Sequence, residues 1–506
     1  MMTRRTAFPI KTGRKNRGGA ALMASLLLAG TAAAPAARAD EVRGAVFTMS
    51  DSAVLGNAVV AYRRLDDGAL RQAGVYPTGG IGAGPAPTST VLGSPVPATA
   101  DGLGSQNSLI LSHDRRLLFA VNAGSDSVSC LRVNGTFRSG PLLSAARTVH
   151  SGGIFPASLT WRGGADGGGV LYVLNAGKEG NITGFRVTPD CAMRRIQGGR
   201  SGALNALTDD PPFPSPAPNE VLTTAAQVGF TPDGTRLVVT IKGGLGSGKL
   251  LDGGDVAVFR ILASGAIAAE PTVTHFSGVT KTAGPFSFVF DAHGNLLLNH
   301  ANSFTFASYR IGDDGALAPV GKPVPISGLK DGSILAFGGF NCWVARRGNT
   351  VYVMTFGDLP ATNGGLPDGP GVISGLKVAD DGALGLLPVV KGRAKGVVAV
   401  LPQDDRDGPR PRVVGNHGID LAVVEDGGRA FLYAIEPRLG QIGAWKVKPD
   451  GTLGFVGDFS RNLIDGVDPF AGTNPGINKF RKRCYLQDGR LSPACRLGSA
   501  QGLAGF

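Results

Sequence analysis

Acidic residues are missing from the first 39 positions of this 506-residue chain. That stretch carries Arg4, Arg5, Lys11, Arg14, Lys15, Arg17 and Arg38 instead. Setting those seven cations aside reduces 50 Lys+Arg to 43 against 38 Asp+Glu, so the formal +12 falls to +5. Nucleic-acid binding then loses its main support, because no basic face interleaved with aromatics remains. Long apolar runs are also missing: the stretch Ala20–Gly30 is too short to span a bilayer, and nothing later approaches about twenty residues. A basic start, that apolar stretch and the tripeptide Ala37-Arg38-Ala39 together read as a signal peptide over residues 1–39. Arg4-Arg5 with Phe8 partly resembles a twin-arginine signal, although Thr6 and Ala7 intervene, so the export route stays open. A periplasmic or secreted protein is expected.

Cysteine is scarce, with five residues and no Cys-x-x-C, which removes zinc ribbons and thioredoxin-like chemistry. In an exported chain, disulfides are the better use. Cys484 and Cys495 bracket a short basic loop and are the expected pair. Cys130, Cys191 and Cys342 lie far apart, and at least one must be left over. Charged residues make up only 17% of the chain, whereas glycine is abundant at 78 residues, with 33 prolines. Glycine at about twice its ordinary ~7% and without a triplet period excludes collagen and points to short strands and tight turns.

One pattern recurs seven times. A β-type run ends in an aromatic residue or Leu, then a cation: Arg63, Arg132, Arg186, Arg260, Arg310, Lys377 and Lys446. Turns such as Asp67-Gly68, Asp314-Gly315, Asp381-Gly382 and Asp450-Gly451 follow, and Asp-Gly between β-type runs is a strong hairpin signal. Upstream of each cation lie two more runs. Four antiparallel strands repeated seven times predict an all-β, seven-bladed β-propeller over residues 40–506, with a loop insertion at about 459–497. A tandem of β-sandwiches is the alternative. The C-terminal Gly498–Ala504 echoes Gly104–Ile110, which opens the second unit, so the last residues are expected to return and close the ring as the innermost strand of blade 1.

The turns between the first and second strands, and between the third and fourth, are short. The connections on the other face are long, as at Gly79–Gly104, Gly243–Gly254 and Gly357–Gly371. Long loops on one side of a rigid scaffold are where binding groups gather. The starts of the innermost strands there supply a polar, mostly uncharged ring: Gln106, Ser158, Gln227, Ser287, Asn341, His417, Asp420 and Gln501, with His300 on the same face. Such a ring suits a neutral or sugar-like ligand. His417, three residues before Asp420, is the expected general base, because imidazole titrates near neutrality and a carboxylate can orient it. A purely structural His417, bonded to a neighbouring blade, is the competing reading. No metal-ligand spacing, Gly-x-Ser-x-Gly elbow or nucleotide loop is found, so no cofactor or metal is expected.

These repeats resemble the seven-bladed propeller lactonases, the group containing 6-phosphogluconolactonase and the carboxymuconate cyclase-like proteins. The resemblance runs from about Ala45 to Gly457. It is carried by Ser112-His113-Asp114-Arg115-Arg116-Leu117-Leu118-Phe119-Ala120-Val121-Asn122, by Gly229-Phe230-Thr231-Pro232-Asp233-Gly234 and by the repeated Phe-Arg-Val…Asp-Gly-x-Leu ending. It implies a hydrolase of lactones that works without a metal, using Arg and His at the channel mouth. Where the family commonly has Pro-Arg-His, this chain has Ala225, Ala226 and Gln227, which points away from phosphorylated substrates. The expected function is an exported, monomeric lactonase-like hydrolase of a non-phosphorylated lactone. His417, Asp420 and Gln227 would be catalytic; Gln106, Ser158, Ser287, Asn341, His300 and Gln501 would hold the substrate. A muconate-type cyclase shares the fold, and a non-catalytic propeller binding a glycan, peptide or protein is the alternative.

Overall fold

A computed structural model describes residues 41–506 except 54–55, 85–88, 92–93, 97–100, 203, 205–223, 244, 247–248, 251–252, 277–283, 302, 327–340, 356–370, 389, 391–392, 394, 402–417, 437–440 and 460–499. His417, Cys484 and Cys495 fall outside the described residues.

Second strands are buried on both faces because each blade packs between two others. Leu117–Asn122 in blade 2 is buried at all six positions, which is why such runs are continuously apolar rather than alternating. Outermost strands face solvent and read differently, as in the mostly exposed Met193–Arg200 of blade 3. Between these extremes, seven antiparallel sheets of four strands form the propeller. The innermost strands are Gln501–Gly505 in blade 1, Leu109–Leu111 in blade 2 and Pro156–Gly163 in blade 3. Blades 4 to 7 follow with Ala225–Phe230, Pro285–Phe290, Asn341–Arg347 and Ile419–Asp426. All seven recurrent cations sit on third strands. In blade 6 the outermost position is shared by Leu384–Leu386 and Val397–Val400, which pair with opposite ends of Val372–Val378.

The ring closes through the C-terminal strand. Gly505, Ala504 and Leu503 pair with Val46, Phe47 and Thr48. Beyond them Phe506 and Ala45 exchange backbone hydrogen bonds of 2.9 and 3.1 Å. Gly44 is needed beside this seam: a Cβ there would stand 1.9 Å from the Phe506 carbonyl oxygen. The buried Arg64 crosses the same seam, donating from Nε to that oxygen at 3.1 Å and pairing with Asp426 of blade 7 at 3.2 Å.

Neighbouring blades are latched by tyrosines on second strands. Tyr172, Tyr352 and Tyr433 donate to the carbonyls of Gly265, Gly451 and Gly68, at 2.6, 2.8 and 2.8 Å, each in a turn of the next blade. Those glycines have φ of +81°, +86° and +92°, so the turn that presents the carbonyl requires glycine. Replacing Tyr433 with Phe removes the donor and strands a buried carbonyl. The expected loss is about 1–2 kcal/mol in urea unfolding, with no change in the slope of the transition.

A covalent link repeats that pattern. Cys130 on the third strand of blade 2 is disulfide-bonded to Cys191 in the last turn of blade 3, with Cα atoms 5.5 Å apart. Sequence spacing did not reveal this pair, whose members are 61 residues apart. Cys342 remains a buried thiol, the one left over among the described cysteines.

Candidate functional site

Long connections deliver a concentration of ionisable groups to the end of the propeller where the innermost strands begin. The segment Asp101–Ser108, leading into blade 2, is bonded to the adjacent blade 3 and to the more distant blades 4 and 6. Ser105 Oγ donates to Ala157 of blade 3 at 2.7 Å, and Gln106 N donates to Ala226 of blade 4 at 3.2 Å. The Gln106 side chain donates to the Val344 carbonyl of blade 6 at 2.6 Å and accepts from its N–H at 2.9 Å. Trp343 Nε1 closes on the Ser105 carbonyl at 2.9 Å. A segment held by blades 3, 4 and 6 at once must cross the centre of the ring.

Around it stand groups that the sequence reading did not single out. Lys242 immediately follows the second strand of blade 4, Arg236–Ile241, donates from Nζ to the Gly104 carbonyl, and lies 5.2 Å from the Phe286 ring centroid. Burial lowers its pKa to about 8, opposed by Asp101 and Cys342. Burial raises Asp101, although the N–H groups of Gly104 and Leu103, the Lys242 charge and the Gln501 amide pull it back. Gln501 Nε2 donates to Asp101 Oδ1 at 3.3 Å. Asp51, on the loop after the second strand of blade 1, accepts from Ala83 N at 2.9 Å, and burial pushes its carboxyl well up. The Cys342 thiol is likewise pushed up by burial.

Asp420 belongs to this group, as the sequence suggested for its position. It is the second residue of the innermost strand of blade 7, at φ +55° and buried. Burial raises its carboxyl to about 8, helped by the Asp101 charge and opposed by hydrogen bonds from the N–H groups of Leu421, Leu503 and Gly502. The structure therefore assembles Asp420, Asp101, Asp51, Lys242, Cys342 and Gln501 into one electrostatically coupled set.

The other residues of the expected ring are engaged by neighbouring backbone. Gln227 donates to the Phe288 carbonyl at 3.0 Å and accepts from its N–H at 2.8 Å, tying blade 4 to blade 5. Ser158 accepts from Val228 N at 3.2 Å, and Ser287 donates to the Cys342 carbonyl. Asn341 donates to the Thr305 carbonyl at 3.1 Å and to the Asn299 side chain. The physical reason is common to all: innermost strands of adjacent blades cannot form a ladder with each other, so their free backbone groups are met by side chains. His300 closes the second strand of blade 5, its ring 5.2 Å from Phe276, with Nε2 3.2 Å from the Tyr309 hydroxyl. Burial lowers its pKa to about 4, so it is neutral at ordinary pH.

Among the described residues, no group of three or more His, Cys, Asp or Glu could hold a metal. A recess of about 240 Å³ lies at the opposite face, between turns of blades 6 and 7, lined by Arg347, Lys377, Lys448 and Glu425 among others. It is remote from the coupled set, and short turns build it.

The fold and this central set define a seven-bladed propeller with an ionisable channel end. Solved structures of the same architecture include a periplasmic gluconolactonase from Pseudomonas aeruginosa, at 17% identity and TM-score 0.51, covering 82% of this chain and 96% of that one. Another, from Bacteroides fragilis and provisionally described as a 6-phosphogluconolactonase, matches at 15% identity and TM-score 0.50, over 84% and 97% of the two chains. The chain shares the propeller fold of these proteins. No family model matches the sequence, and no curated protein matches it.

Proposed function

We propose that this protein is an exported lactonase-like hydrolase acting on a non-phosphorylated lactone where the long loops surround the central channel. The observation that carries the reading is the convergence of Asp420 and Lys242, one raised and one lowered to about 8, within electrostatic reach of the same Asp101. Groups moved toward neutrality from opposite directions are a signature of acid–base sites. In this reading His417 takes the proton of an attacking water as its oxygen bonds to the lactone carbonyl carbon. Lys242 stabilises the developing oxyanion. As the ring C–O bond breaks, the protonated Asp420 carboxyl supplies the proton to the departing oxygen, giving a hydroxy acid. With Lys242 as the one cation of the set, a phosphorylated substrate is disfavoured. Gln106 and Gln227 contribute by holding blades rather than by touching substrate. The Cys130–Cys191 disulfide supports an oxidising destination, and the fold shared with a periplasmic gluconolactonase supports both activity and location.

Acid release followed by pH-stat tests this on a panel of neutral and phosphorylated lactones, against a blank for spontaneous hydrolysis. His417→Ala and Asp420→Asn should each lower kcat/KM about 10²–10⁴-fold. Activity of the wild type should fall as pH rises through about 8, where Asp420 gives up its proton, and Asp420→Asn should lack that limb. Stability carries the same signature. The folded protein keeps the Asp420 proton to about pH 8, whereas the unfolded chain releases it near the ordinary ~4, so stability declines as pH rises between those values. Asp420→Asn should flatten the decline.

A second reading, a propeller that binds a glycan, peptide or protein without catalysis, is favoured by the segment Asp101–Ser108 crossing the centre and by the backbone ties of the ring side chains. Absence of turnover on every lactone would select it.

A further inference from the structure

Cations are concentrated on one edge of the propeller. The outermost strand of blade 3, Met193–Arg200, carries Arg194, Arg195 and Arg200, all exposed. No other outermost strand carries more than one Lys or Arg: Arg71 in blade 1, Arg147 in blade 2 and Lys322 in blade 5, with none on those of blades 4, 6 and 7. Exposed sheet edges are often protected by charge. The other six edges manage with one cation, in blades 1, 2 and 5, or none, in blades 4, 6 and 7, so protection does not require three.

The neighbourhood adds to the excess. Arg186, on the third strand, is the direct cross-strand partner of Arg194, an arrangement that like charges destabilise, and its Nη2 donates to the Ser264 carbonyl of blade 4 at 2.6 Å. From blade 2, the exposed Arg132 and Arg147 reach the same rim, and His150 stands 3.3 Å from Arg195. Among the described residues, the ion pair there is Asp190 with Arg147 at 3.1 Å. Six arginines thus crowd this edge, with Arg132, Arg147 and Arg195 on its blade 2 side beside Asp190, and Arg186 and Arg194 on its blade 4 side, in a protein whose residues 40–506 carry a net charge of only +5.

We propose that this rim of blades 2 and 3 is a docking surface for an anionic polysaccharide. Charge complementarity carries the argument, together with the residue type: every cation in the six is arginine, whose planar fork matches carboxylate and sulfate groups bidentately. The strand bulges between its pairs with Phe185 and Thr183, so Arg194 and Arg200 stand opposite residues three apart, about 10 Å along the edge, still wider than a single ion. Met193–Arg200 holds no aromatic residue on which bases could stack, which disfavours single-stranded nucleic acid. Its apolar members Met193 and Ile196 are half-buried, leaving no wedge for a bilayer. This surface is independent of the reaction proposed above.

The test is retention of the full protein on heparin-agarose in a NaCl gradient, with affinity for soluble heparin measured by titration. The triple variant Arg194→Ser, Arg195→Ser, Arg200→Ser should bind about tenfold more weakly, as expected for three lost surface ion pairs. The triple variant Arg71→Ser, Arg310→Ser, Lys322→Ser changes net charge equally on other blades and should stay close to wild type. Thermal melts confirm that both variants fold. Equal weakening in both, or no retention of the wild type, overturns the proposal. Binding to phosphatidylglycerol vesicles or to oligo-dT that depends on the same arginines, without binding to heparin, overturns it in favour of those partners.

Discussion

Deleting Ala500–Phe506 is expected to abolish the folded ring, with loss of the cooperative melting transition and of soluble protein. The strand it removes is the innermost of blade 1, and its loss exposes the paired edge of Val46–Met49. Leu503 and Phe506 are buried, and truncating such side chains alone lowers stability by about 2–5 kcal/mol each. Arg64 keeps Asp426 but loses its hydrogen bond to the Phe506 carbonyl while remaining buried, which adds about 1.5–3 kcal/mol. The sum is on the order of 10 kcal/mol, the size of a typical domain's whole stability. Leu503→Ala and Phe506→Ala should lower the melting temperature without unfolding the protein, which separates lost packing from lost closure. An unchanged melt after the deletion would reject closure by this strand.

The second large effect is expected from Cys130→Ala combined with Cys191→Ala. Closing 61 residues removes unfolded-chain entropy worth about 4 kcal/mol in the loop-closure picture. The melting temperature should move less than that figure suggests. At about 2.1 cal/mol/K per residue, a chain of this length has an unfolding entropy near 1 kcal/mol/K, so the shift is about 4 °C if the ring melts as one unit. A much larger shift would show that blades 2 and 3 open separately. Both cysteines are buried, so reduction of the native protein should be slow and should accelerate once mild urea loosens those blades.

Much of the architecture was legible because a propeller is a local device repeated. Each third-strand cation and each Asp-Gly turn is set by neighbours in sequence, and the echo between the C-terminus and Gly104–Ile110 identified the closing strand. The site was less legible. Asp420 and Gln501 were placed by their repeat positions, and they do lie with the ionisable set. Gln227, Ser158, Ser287 and Asn341 were equally well placed by pattern, yet in the structure their polar groups are bonded to a neighbouring blade, the next one for the first three and the preceding one for Asn341. A polar residue at the start of an innermost strand looks the same in sequence whether it faces a ligand or a neighbouring strand.

By itself, then, the sequence determined the blade count, the strand order within each blade and the means of closure, because these follow from hydrophobic period and turn chemistry. Only the tertiary structure decided that Cys130 meets Cys191, and that Lys242, Asp51, Cys342 and Asp420 all lie within electrostatic reach of Asp101. It alone concentrated six arginines on one rim. Those meetings join residues tens to hundreds of positions apart, through loops whose paths no periodicity specifies. The shifts that draw Asp420 and Lys242 toward neutrality arise from burial, a property of the assembled ring and of no single segment.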